Sequence, residues 1–156
     1  MRIYLFVLCL IGSMLPSCMD SSANPMASTP FVNVPYTVVL QGAQHSIRNQ
    51  QLQVVTDATQ LAALTAAAAF SPALPALELD ANNLVAIFLP PGTACDALGM
   101  VNVSESADVV LVEAEKTVPD NMPCAALVPN HALSVLATIP KSGKPVSFTF
   151  TIRKAG

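Results

Sequence analysis

The sequence predicts an α+β domain, a mostly antiparallel β-sheet with one helix packed on it, and three observations predict it. One stretch alone carries helix chemistry, Asp57 to Phe70 (DATQLAALTAAAAF). Runs rich in β-branched residues lie on both sides of it, and several are separated by short polar turns. The last run, Val146 to Arg153, alternates apolar and polar at every step, the pattern of a strand with one buried face. A β-sandwich with an inserted helix is the competing architecture.

The elements follow in order. Tyr36 to Leu40 and Leu52 to Thr56 read as strands separated by a polar stretch holding Gly42, His45 and Arg48. Asp57 and Gln60 stand as a capping box at the head of the helix, Leu61, Leu64 and Ala68 share one of its faces, and Pro72 is expected to stop it. Leu84 to Leu89 is apolar on both faces, as an interior strand is. Met100 to Ser104 and Val109 to Glu115 flank the polar turn Glu105 to Asp108 and read as a hairpin. Leu133 to Ile139 is a further buried strand. In the final strand Val146, Phe148, Phe150 and Ile152 face the core, and Ser147, Thr149, Thr151 and Arg153 face water.

Ahead of this domain, Met1 to Ser17 has one basic residue, an apolar run and a small-residue end, the pattern of a secretory signal peptide. The run falls short of the roughly 20 residues a spanning helix needs. The segment ends Leu15-Pro16-Ser17-Cys18 and resembles the lipobox of bacterial lipoproteins, with Pro16 departing from the usual residue there. That resemblance implies lipidation of Cys18, which becomes the new N-terminus, and a place in the bacterial cell envelope, anchored to a membrane and facing the periplasm or the outside. Ordinary cleavage near Ala23 or Ala27 is the competing reading. Residues 18–35, rich in Ser, Pro and Asn, read as a tether of roughly 20 to 25 Å, and 36–156 as a single domain.

Without residues 1–17 the chain has six Lys/Arg against ten Asp/Glu, a formal net charge of −4. There is no cation cluster of the size that phosphate neutralisation requires, so no nucleic-acid partner is expected. Of the four cysteines, Cys9 leaves with the leader and Cys18 goes to the lipid, so Cys95 and Cys124 should pair in an oxidising compartment. Such a bond is worth on the order of 3 to 4 kcal/mol. It needs the loops after Leu84 to Leu89 and before Leu133 to Ile139 at the same end of the sheet, and in the simplest layout those two strands run antiparallel.

Catalytic and metal chemistry find little support in the spacing. A hydrolase would combine His131 with Ser134 or Ser142 and with Asp96 or Asp120, but no nucleophile-elbow motif is present. The acids Glu105, Asp108, Glu113, Glu115 and Asp120 lack the spacing and the glycine of a calcium loop. Asn102-Val103-Ser104 is a formal glycosylation triplet that reads as strand. No catalytic, cofactor or metal residues are assigned.

Leu84 to Phe148 resembles the C-terminal domain of the protease-complex stability proteins of the PrcB type. The likeness is carried by Leu84-Val85-Ala86-Ile87-Phe88-Leu89 with its glycine-containing loop, the hairpin through Glu113, and Pro123-Cys124. It continues through Pro129-Asn130-His131-Ala132-Leu133 to Ile139-Pro140-Lys141, and through Pro145-Val146-Ser147-Phe148. Where that family has a Gly-Gly-Tyr-like turn, this chain has Ala97-Leu98-Gly99-Met100. The resemblance implies no enzyme and no cofactor. It implies a lipid-anchored accessory module that stabilises or docks another envelope protein, such as a protease. An exported hydrolase using His131 and a purely structural surface lipoprotein are the alternatives.

Overall fold

The computed structural model describes residues 30–120 and 133–155. In chain order its elements are β1 (Val32–Asn33), β2 (Thr37–Gln41), β3 (Gln51–Val55), α1 (Ala58–Ala68), β4 (Asn82–Leu89), β5 (Ala97–Glu105), β6 (Val110–Pro119), β7 (Leu133–Pro140) and β8 (Val146–Ala155). The strands form two four-stranded sheets, ordered β2-β7-β4-β3 and β1-β5-β6-β8. All pairings are antiparallel except β6 with β8, which is parallel.

The expected single sheet is therefore two, and the physical reason lies in β4 and β7. These strands pair antiparallel, Leu84 opposite Thr138 and Leu89 opposite Leu133, and both are apolar on both faces. One face of the pair, through Leu84, Ala86, Phe88 and Leu136, packs with Val55 and with Leu64 of α1. The other face, through Val85, Ile87, Leu89, Leu133, Val135 and Ile139, needs a second apolar cover. It shares a core with Leu98, Val103, Val110, Val112 and Ala114 of β5 and β6. At about 25 cal/mol per Å² of apolar surface removed from water, this doubly covered pair is where burial stabilises the fold most.

The helix begins as its sequence dictates. Asp57 is extended, and its carboxylate accepts from the Gln60 amide at 2.9 Å. The Gln60 side chain reaches back to the Thr56 amide, also at 2.9 Å, one residue beyond the position a capping box predicts. The helix stops before Pro72 acts: Ala69 takes the left-handed conformation at φ 48° and its amide bonds the Thr65 carbonyl. The Ala68 carbonyl, in the last turn, accepts from the Ser46 amide at 2.7 Å, and Gln44 exchanges two backbone bonds with Ser71. The segment between β2 and β3 is thereby laced to the end of α1.

Two boundaries differ from the sequence reading. β1 falls inside the stretch read as a tether: Val32 and Asn33 pair with Glu105 and Ser104, and the Val34 amide bonds Val103. The sheet thus begins ahead of Tyr36, because Val34 has an apolar core to pack on. The alternation of β8 holds from Val146 through Phe150, but Ile152 is 67% exposed. By that point β6 has turned from apolar side chains to Lys116, opposite Ile152, so the core has ended beneath it.

Candidate functional site

The loop from Pro90 to Asp96 carries the chain out of one sheet and into the other, and its conformation is fixed by three kinds of contact. Asp96, 7% exposed, forms an ion pair with Lys116 of β6 at 2.7 Å. The Thr93 hydroxyl donates to its other oxygen at 2.6 Å, and the Asp96 amide donates back to the Thr93 carbonyl at 3.1 Å. Cys95, between Thr93 and Asp96, is disulfide-bonded. Burial alone would push the Asp96 carboxyl up; the hydrogen bonds from Lys116 and Thr93, with the Lys116 charge, outweigh it and hold the group below the ordinary carboxylate value. Just past the loop, the start of β5 is tied to the opposite sheet, since the Gln41 side chain of β2 donates to the Leu98 carbonyl at 2.7 Å. Ala94 and Ala97 remain exposed on this fixed frame.

The residues proposed from sequence fall in different places. Cys18, Cys124 and His131 lie outside the described residues, so lipidation, the partner of Cys95 and a His131 triad are not described. The strand layout that the Cys95–Cys124 pairing presupposes does occur, since β4 and β7 run antiparallel. Ser134 is 1% exposed, stands opposite Phe88 and has no hydrogen-bond partner for its hydroxyl. Directly opposed residues share a face, so Ser134 points with Phe88 into the apolar layer beneath α1. Asp96 is committed to Lys116. Ser142 accepts from the Lys144 amide at 3.4 Å, and Asp120 is exposed at the end of β6.

The acids of the hairpin have separate partners. Glu105 pairs with Lys144, Glu113 accepts from Asn102 at 3.1 Å, and Glu115 lies 3.8 Å from Arg153. Among the described residues no group of three or more His, Cys, Asp or Glu side chains gathers as a metal site.

Two features escaped the sequence reading. Lys116 is the one Lys or Arg between Arg48 and Lys141, set in a strand otherwise carrying acids, and that isolation was the available signal for a buried partner. His45 is 5% exposed, neither ring nitrogen makes a hydrogen bond of good geometry, and its ring stands steeply to those of Phe88 and Phe70, with centroids 4.9 Å and 6.4 Å away. Burial, then the neighbouring Arg48 charge, depress its pKa against a smaller opposing contribution from the Ile47 backbone, so it is held neutral. A lone histidine in a polar stretch gives no sign of this.

No family model, curated protein or solved structure matches the chain.

Proposed function

We propose that the protein is a lipid-anchored accessory module of the bacterial cell envelope that docks on and stabilises another envelope protein through the Pro90 to Ala97 edge. One observation carries the reading: this loop is pinned by a buried ion pair and a disulfide-bonded cysteine while Ala94 and Ala97 stay exposed. A surface whose conformation is already fixed loses little entropy when a partner covers it, which is the condition for a dedicated contact edge. The expected Cys95–Cys124 bond would extend that edge to the segment between β6 and β7. The resemblance to protease-complex stability proteins fits this role, with a protease as the partner class, and the lipobox-like Leu15 to Cys18 supports a lipid anchor at a membrane. In the same reading the two sheets lie face to face with α1 outside one of them, so the two architectures expected from sequence meet in one layered fold.

The test is purification from the native envelope of the wild type and of an Ala94→Arg variant. One envelope protein is expected to accompany the wild type and to be lost from the variant. Hydrolysis of ester, peptide or glycoside substrates by the purified chain, abolished by His131→Ala, would overturn the reading.

A further inference from the structure

We infer that β8 is a self-association edge, and that two copies of the chain join through antiparallel β8 strands into one continuous eight-stranded sheet about a twofold axis. The inference starts from a comparison of the four sheet edges among the described residues. An unpaired edge strand offers a row of amide and carbonyl groups to any other strand, and proteins ordinarily blunt such edges by shortness, bulges, proline or charge. Three edges here are blunted. β1 has two residues, β3 has five, and β2 has five with a register shift between Val38 and Leu40. β8 has ten, its register with β6 is unbroken from Val146 opposite Val110 to Ala155 opposite Pro119, and no proline interrupts it. Its charges, Arg153 and Lys154, stand only near one end.

The side chains select a second copy as the occupant and also select its register. Val146, Phe148 and Phe150 pack toward the shared core, and Ser147, Thr149 and Thr151 lie on the other face. Opposed residues in an antiparallel pair share a face, so only registers that pair even-numbered residues with even-numbered ones keep apolar against apolar. The register centred on Phe150 sets Phe150 against its own copy, Phe148 against Ile152, Thr149 against Thr151, Ser147 against Arg153 and Val146 against Lys154. It covers Ile152, the most exposed large apolar side chain of the chain's described residues at 67%, with a phenylalanine of the second copy. Moving the centre to Thr149 would set Lys144 against Lys154 and Pro145 against Arg153, and moving it to Thr151 would set Phe148 against Lys154 and Val146 against Gly156, which has no side chain.

Charge agrees with this choice. No like charges are opposed: Arg153 of each copy faces Ser147 of the other, whose neighbour in β6 is Leu111, and Lys154 faces Val146. The interface is isologous and closes at two copies, as twofold pairing requires.

The test uses the full chain in mild detergent at about 100 µM, a concentration at which mass action favours association. Light scattering on the eluting peak is expected to give twice the chain mass for the wild type. The double variant Thr149→Lys, Thr151→Lys, which opposes four lysines on the solvent face, should give the mass of one chain with an unchanged circular dichroism spectrum. Independently, Thr149→Cys and Thr151→Cys chains mixed under mild oxidation should form a mixed disulfide that Thr149→Cys alone does not form. A wild type of single-chain mass, a folded lysine variant that remains a dimer, or cross-linking that ignores the 149-to-151 pairing would each overturn the inference.

Discussion

A β-carbon built on Gly92 would fall 2.2 Å from Oδ2 of Asp96, so the glycine backbone and the buried carboxylate occupy space that admits no side chain between them. The carboxylate cannot retreat, because Lys116 and Thr93 hold it from the other sides. Gly92→Ala is therefore expected to cost about 1–3 kcal/mol through overpacking and loss of the ion pair. Urea unfolding measures it, and Ala94→Ser, at an exposed position of the same loop, should be neutral.

Asp96→Asn leaves Lys116 with an uncharged partner, at a cost of about 1–3 kcal/mol near neutral pH. The pH dependence has a definite sign. The folded-state pKa lies below the ordinary aspartate value of 3.8, so the stabilisation is full above that value and is lost as pH falls through the folded pKa. The wild type should lose its advantage over Asp96→Asn below about pH 4, read as converging melting temperatures across an acid titration.

His45 gives a pH dependence of the same sign as Asp96, set at a higher pH. Its folded pKa is depressed from 6.5, so below that value the unfolded chain takes up a proton that the folded chain refuses, and stability falls with pH. Arg48 is the charged neighbour that adds to the effect. His45→Phe keeps an aromatic ring beside Phe70 and Phe88 and removes two buried ring nitrogens that make no hydrogen bond of good geometry. Its urea midpoint should match or exceed that of the wild type at pH about 7.5, and the gap should widen at about 5.5. A gap that does not change with pH would contradict a buried neutral histidine.

Ser134→Ala removes a buried hydroxyl that has no partner, and the expected change is between zero and a gain of about 1 kcal/mol. A loss of more than about 1 kcal/mol in the same assay would mean the hydroxyl has a partner in solution.

The parts of this fold legible in the sequence were those encoded by local period. The unbroken apolar run at Leu84 to Leu89 and the alternation through Phe148 and Phe150 placed β4 and β8, and Asp57 with an alanine-rich tract placed α1. What stayed hidden was pairing between distant segments. Period tells which face of Val112 or Val135 is buried but not against which sheet, so one sheet was expected where two share a core. The parallel pairing of β6 with β8 leaves no trace in either strand. The Asp96–Lys116 pair was hidden for the same reason, whereas the β4–β7 antiparallel arrangement was reached because two cysteines suggested a shared end.

The leader gives a separate expectation. The mature chain should begin at a lipidated Cys18 and partition with membranes, and Cys18→Ser should be left unprocessed or mislocalised; intact-mass measurement decides it. A wild-type N-terminus at Asn24 or Ser28 would contradict the lipoprotein assignment.

The contact edge is tested most directly by site-specific photocrosslinking in intact cells, with the photoreactive residue placed at Ala94 in one strain and at Ala66, on the exposed side of α1, in another. The account predicts one dominant adduct of constant mass from Ala94, identified as a single envelope protein, and none from Ala66. An adduct from Ala66 with none from Ala94, or the same adducts from both, would contradict it.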